Sequence, residues 1–213
     1  MIDPVPLVSF AVTSLIIILV PGSDVFLLLR VSVSEGVVAG LRALAGIHLG
    51  NVIQAAMMIS GIGLIISRIP GALTALKLVG AAYLLYLAVS SLRAVLRPSN
   101  GPGETSDKQE AGAQRLSSPF LQGLLANVTN PKVLIFFVAF FPQFLGNAGS
   151  VSIQLLVLSV IFISLAVIWE GIIVVGAGRL GRMMNSVRFT KVMDAACTTA
   201  FTGLAVALLV GVA

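Results

Sequence analysis

The sequence predicts an all-α integral membrane protein of six transmembrane helices, arranged as two inverted three-helix repeats with helices one and four broken. Composition is the first reason: 58% of the 213 residues are hydrophobic and 10% charged, against about 25% charged in soluble domains. Spacing is the second. Six apolar runs, at about 7–29, 37–66, 69–95, 119–145, 150–177 and 189–212, fall into two groups of three around a polar stretch, and a span needs about 20 residues. The third is a matched pair of proline interruptions inside the first and fourth runs. An odd number of spans per half inverts the second half relative to the first.

Taken in order, the first run contains Leu19-Val20-Pro21-Gly22-Ser23-Asp24-Val25-Phe26. Proline removes a backbone donor and clashes with the preceding turn, so the helix is expected to open at Pro21. Freed carbonyls in hydrocarbon survive only where they face protein or a water-filled cavity. Met1-Ile2-Asp3-Pro4-Val5-Pro6 has no basic n-region, and no Ala-x-Ala pattern follows the first apolar run. The first helix is therefore expected to be retained and not cleaved as a signal peptide. The second run carries the small-xxx-small pairs Gly36/Gly40 and Gly46/Gly50, which favour close backbone approach. His48, Asn51 and Gln54, at i, i+3 and i+6, lie on a separate arc of that helix. Arg68-Ile69-Pro70-Gly71 is a tight-turn composition before the third run, where Gly80-Ala81-Ala82 is another small-residue segment.

Residues 96–118, with Pro98-Ser99-Asn100-Gly101-Pro102-Gly103 and mixed charges, cannot bury a core and read as a flexible cytoplasmic loop. The loop separates a first repeat, 1–95, from a second, 119–213. The fourth run is interrupted at Asn127-Val128-Thr129-Asn130-Pro131-Lys132. Two broken spans at corresponding positions point to a transporter site near the midplane. In the fifth run, Gly171, Gly176 and Gly178 read as further close-packing positions.

With the N-terminus outside, Arg30, Arg42, Arg93, Arg97, Lys108, Arg115, Arg179, Arg182, Arg188 and Lys191 all lie at or near the cytoplasmic side. Arg68 alone falls in an outer loop, and Lys77 and Lys132 fall within spans. Both termini are thus expected on the outer face. The net charge of +5 is a topology signal before it is a sign of nucleic-acid binding.

Ionisable groups inside a membrane are costly, about 2.5–3.5 kcal/mol each at a helix centre. Asp24 reads as a binding or proton-carrying carboxylate, or as a structural partner for a lysine or an opened helix end. Lys132 suits a substrate carboxylate, neutralisation of Asp24, or snorkelling along its stem. Glu170, beside Trp169, divides evenly between function and structural pairing. Asp194 reads as an interfacial charge, and His48 as an interhelical hydrogen-bonder ahead of a site residue. A half-helix N-terminus suits a carboxylate, and a half-helix C-terminus suits an ammonium group or a cation. A zwitterionic amino acid matches both.

These residues resemble the LysE/RhtB family of amino-acid exporters. The matching pieces run nearly end to end: Pro21-Gly22-Ser23-Asp24, Gly36 with Gly40, Gly46-Ile47-His48-Leu49-Gly50, Lys77 to Leu87, Phe120 to Asn127, and Asn130-Pro131-Lys132 with Phe136-Phe137 and Phe141-Pro142-Gln143-Phe144. The resemblance implies six helices, residence in a bacterial inner membrane and efflux driven by the proton gradient. Two departures matter. Ser23 stands where the family usually has a second proline. Asn51 and Phe136 stand where exporters of basic amino acids tend to carry acids, which favours a neutral substrate such as threonine, homoserine or leucine.

The expected substrate-binding set is Pro21, Gly22, Ser23, Asp24, His48, Asn51, Asn127, Asn130, Pro131 and Lys132. Asp24 is the first and Glu170 the second candidate for proton coupling. In this reading the N–H groups around Pro21 to Asp24, with Lys132, hold the carboxylate; Asp24 attracts the ammonium; Asn127 and Asn130 add neutral hydrogen bonds. The partners are an amino acid, protons and the bilayer, without nucleic acid; the sequence admits a homodimer without specifying one. No cofactor is expected. One His and one Cys argue against a metal ion, although a metal or basic amino-acid exporter remains the alternative within transport. A membrane enzyme built on Ser23 and His48 lacks an evident orienting group.

Overall fold

The computed structural model describes residues 4–68, 71–96, 118–146, 150–184 and 186–210, and all regular structure among them is helical. The first expected span is two helices, α1 (Pro4–Leu19) and α2 (Ser23–Ser34), bent by 53° at the proline. Helices α3 (Val37–Arg68) and α4 (Ala72–Leu96) complete the first half. The fourth expected span is broken too: α5 (Pro119–Val128) and α6 (Pro131–Ile135) meet at a 46° bend. Past α6 the winding changes to a π turn over Phe136–Phe140, then to a 3-10 turn over Phe141–Phe144. Helices α7 (Val151–Met184) and α8 (Val187–Val210) follow. The loop expected at 96–118 lies outside the described residues apart from its two ends.

Among the described residues three helices are long and apolar enough to cross a bilayer, over Val37–Gly61, Thr74–Leu96 and Val151–Arg179, and counting each bent pair as one span raises the number to five. The sixth expected span is present as the helix α8. Lys191 and Asp194 occupy its early turns, so its described apolar part, 195–210, is shorter than a full crossing.

The packing exchanges partners between halves. Helix α3 packs on α5, α7 packs on α1 and α2, α3 and α7 also touch, and α4 pairs with α8. The α3–α5 seam is backbone against backbone. A methyl group on Gly46 would strike the Phe120 carbonyl, and one on Gly123 would strike the Ala43 carbonyl. Such contact relies on van der Waals packing, because hydrocarbon offers no hydrophobic drive between helices. Not every glycine serves this purpose. Gly36 lies outside α3, as a turn residue with φ +91°, a conformation that favours glycine. Around Gly171 and Gly178 there is open space for a methyl group.

Two apolar cores flank the breaks. The first gathers Phe10, Phe136, Phe137, Phe140, Phe141 and Phe162, with ring centroids as close as 4.5 Å for Phe137 and Phe141 and 4.9 Å for the edge-on pair Phe10 and Phe141. The second joins Val25, Leu28, Val31, Ala43, Ile47, Ile173 and Val174. Outward faces are apolar as well. On α7 the exposed large apolar residues include Ile153, Leu156, Val160, Val167, Ile168 and Ile172, a helical stripe that suits lipid contact.

Candidate functional site

Each proline break leaves one carbonyl without its helical donor, and each is capped from the opposite half of the chain. Proline lacks an N–H, so Pro21 orphans the carbonyl of Ile17, four residues earlier. The ammonium of Lys132 donates to the Val20 carbonyl at 2.8 Å and to Ile17 at 3.4 Å. Pro131 likewise orphans the carbonyl of Asn127. There Gln54 Nε2 donates at 2.9 Å, and the backbone N–H of Asn130 donates to the same oxygen at 2.9 Å. One break is thus capped by a charge and the other by a neutral amide.

The helices that restart after the breaks differ in their caps. Asn130 caps α6, its Oδ1 accepting from the Lys132 backbone N–H at 3.0 Å. Gly22 precedes α2 in an extended conformation, with no side-chain cap. The first N–H groups of α2 therefore keep their hydrogen-bonding capacity and partial positive charge. Asp24 is buried in that first turn.

Asn127 is the hub of the site and is wholly buried, with 0% exposure. Its Nδ2 donates to Asp24 Oδ2 at 3.1 Å and to Asn51 Oδ1 at 2.9 Å. Gln54 Nε2 approaches its Oδ1 at 3.4 Å. Asn51 Nδ2 stands 3.3 Å from His48 Nδ1; with Nδ1 as acceptor, the ring proton belongs on Nε2. That nitrogen is 3.3 Å from Glu170 Oε2, an ion-pair distance without hydrogen-bond alignment. A continuous polar line therefore runs from Asp24 through Asn127, Asn51 and His48 to Glu170, joining α2, α5, α3 and α7.

A cavity of about 20 Å³ lies among these groups. Its polar lining comes from Gly22, Asp24, Asn51, Lys132 and Glu170, and its apolar lining from Ile17, Ile18, Val25, Val133, Phe162 and Ala166. That volume suits one water and lies far below the roughly 300–1,000 Å³ of a ligand pocket. The conformation described is closed around its own polar groups.

The sequence-derived residues thus fall into three places. Gly22, Asp24, Asn51, Lys132 and Glu170 share the cavity wall. Asn127 and His48 stand one hydrogen bond behind it. Pro21, Asn130 and Pro131 shape the backbone, while the Ser23 hydroxyl turns to Asp24 Oδ1 at 3.4 Å. Lys132 binds carbonyls in place of Asp24, because the proline-freed oxygens lie in its path. The Ser23–His48 pairing that an enzyme would need does not form, since His48 turns to Asn51 and Glu170. Two features escaped sequence reasoning: Gln54 as the cap of the second break, and the pairing of His48 with Glu170. The i, i+6 spacing of His48 and Gln54 was the available signal.

Comparison with known proteins identifies the family. Residues 15–211 match the LysE type translocator family. An uncharacterised membrane protein of Bacillus subtilis, YrhP, is 28% identical over 190 residues, covering 88% of this chain and 90% of its own length. A leucine efflux protein of Klebsiella pneumoniae is 31% identical over 152 residues, 71% of this chain and 69% of its own. The leucine efflux protein of Salmonella typhimurium is 34% identical over 137 residues, 64% and 62% of the two chains. No solved structure matches. A family match across nearly the whole length, on a helical frame with two broken spans, makes this chain a multi-pass membrane protein of the LysE type translocator family, whose members are transporters and not enzymes.

Proposed function

We propose that the chain exports a neutral amino acid from the cytoplasm in exchange for protons. The observation that carries the reading is the meeting of both helix breaks, two carboxylates and one ammonium group around a single cavity. A zwitterion needs an anion for its ammonium and donors for its carboxylate. Asp24 supplies the first. The uncapped N–H groups at the start of α2, with the remaining donor of Lys132, supply the second. The apolar wall of Ile18, Val25, Phe162 and Ala166 suits an aliphatic side chain, and relatives named leucine efflux proteins support that class.

In this reading the chain forms six spans in two inverted repeats, 1–95 and 119–213, joined by the loop 96–118. The exchange of partners supports it: the second span of each half packs on the broken first span of the other, and the third spans pair. Such an arrangement is expected of repeats related by a two-fold axis in the membrane plane. Bacterial relatives named as membrane and efflux proteins support residence in a bacterial inner membrane, and the distribution of Arg and Lys supports periplasmic termini.

Proton exchange requires an acid that loads on one side and unloads on the other. Asp24 touches the substrate in this scheme, so protonating it weakens the hold on the ammonium. Glu170 lies at the far end of the polar line, with an imidazole beside it to pass a proton. The test is export of leucine from loaded vesicles under an imposed pH gradient. Asp24→Asn is expected to abolish pH-driven flux with normal protein levels, and Glu170→Gln to reduce it. Wild-type proton-coupled flux in both variants would make the two acids structural and defeat the assignment.

A further inference from the structure

The ammonium of Lys132 does more than occupy a convenient acceptor. It sits on two carbonyls, Val20 at 2.8 Å and Ile17 at 3.4 Å, at the C-terminal end of a half-helix. Unwound carbonyls and half-helix C-termini are where secondary transporters with broken helices bind a coupling cation. The negative end of the α1 dipole adds to that attraction. The chain also makes room for the side chain: a methyl group on Gly22 would stand 3.0 Å from Lys132 Nζ and 3.4 Å from Cε. At the second break the equivalent orphan is met by the neutral amide of Gln54, so a positive charge is built into one break alone.

We propose that the end of α1 is a monovalent-cation site, permanently filled by the tethered ammonium of Lys132, and that shortening this side chain opens the site to a free alkylammonium ion. Through these two bonds Lys132 also holds the first break open, without a dissolved metal cation. Lys132→Ala removes three methylenes and the ammonium, and n-propylammonium restores the same atoms. The hydrogen bonds to the carbonyls require N–H donors, so tetramethylammonium, with equal charge and no N–H, should not substitute.

The experiment is thermal unfolding of the purified full chain in detergent at fixed pH and ionic strength, titrated with either cation. Lys132→Ala should gain about 3 °C or more in unfolding midpoint with n-propylammonium, saturably. It should gain no more with tetramethylammonium than the wild type does. Lys132→Met retains a long stem without donors and should respond to neither ion. Should Lys132→Ala fail to purify alone, n-propylammonium present throughout should recover it. Equal responses of wild type and Lys132→Ala, equal effects of the two cations, a response of Lys132→Met, or failure of the amine to recover the variant would each overturn the proposal. No transported substrate enters the assay, so its outcome is independent of the export reading.

Discussion

A single methyl group at position 50 should disable the site without removing any polar atom. A Cβ on Gly50 would lie 2.5 Å from Asn127 Oδ1, 3.0 Å from its Cγ and 3.1 Å from its Cβ. Ordinary contacts between such atoms are about 3.5–4.0 Å, so the amide must retreat by about 1 Å. Asn127 has nowhere polar to go, being wholly buried. Its bonds to Asp24 at 3.1 Å and Asn51 at 2.9 Å would lengthen past the limit of about 3.5 Å for a useful hydrogen bond. Losing a charge-assisted and a neutral bond costs about 2–4 kcal/mol, and overpacking a close-packed seam costs about 1–3 kcal/mol on its own. Gly50→Ala should therefore lose pH-driven leucine flux by at least tenfold in vesicles and unfold at a lower temperature than wild type. Gly171→Ala is the matched control, because its added methyl meets nothing within 4 Å; it should transport normally. Equal flux in the two variants would refute the argument that Asn127 organises the site.

Other outcomes follow from the caps and the charges. Pro131→Ala restores an N–H that competes with Gln54 for the Asn127 carbonyl, so the 46° bend should relax and flux should fall, as read by vesicle transport beside an expression control. Export should be unchanged when external Na⁺ is replaced by choline at a constant pH gradient, because the carbonyls at the first break already hold an ammonium; a dependence on Na⁺ would contradict the tethered cation. His48→Ala and Glu170→Gln should cost no more together than the larger single loss in a double-mutant cycle of flux, since the two side chains stand 3.3 Å apart. A cysteine at position 106 in a Cys197→Ser background should resist impermeant reagents added outside intact cells, and strong labelling would reverse the topology.

The breaks were legible in the sequence because their cause is local: a proline deletes one donor, wherever it stands. Asp24, Asn127 and Lys132 were legible as residues for a related reason, being polar groups that hydrocarbon penalises. Their partners were not. Lys132 was expected to meet Asp24 or a substrate, or to snorkel, yet the break at Pro21 had already exposed the carbonyls of Ile17 and Val20 nearby. The hub position of Asn127 depends on how closely α3 and α5 approach at Gly46, Gly50 and Gly123, a distance that no single run of residues contains. The meeting of His48 with Glu170 depends on the packing of α3 against α7. Among glycines, spacing alone did not separate Gly46 at a seam from Gly171 with open space beside it. The π turn at Phe136–Phe140 was also hidden, since an apolar run looks the same however tightly it is wound.

The reciprocal capping of the two breaks bears on how the chain is made. Synthesis delivers α1 to the membrane long before Lys132 leaves the ribosome, and during that interval the carbonyls of Ile17 and Val20 lack the side chain that satisfies them. Gln54, by contrast, is already in place when Asn127 and Pro131 arrive. Assembly therefore has a direction: the nascent first half waits, exposed and open to quality-control proteolysis, while the second half docks onto a ready donor. A gene split within residues 96–118 should consequently yield a first fragment that is degraded when expressed alone and rescued when its complement is supplied in trans.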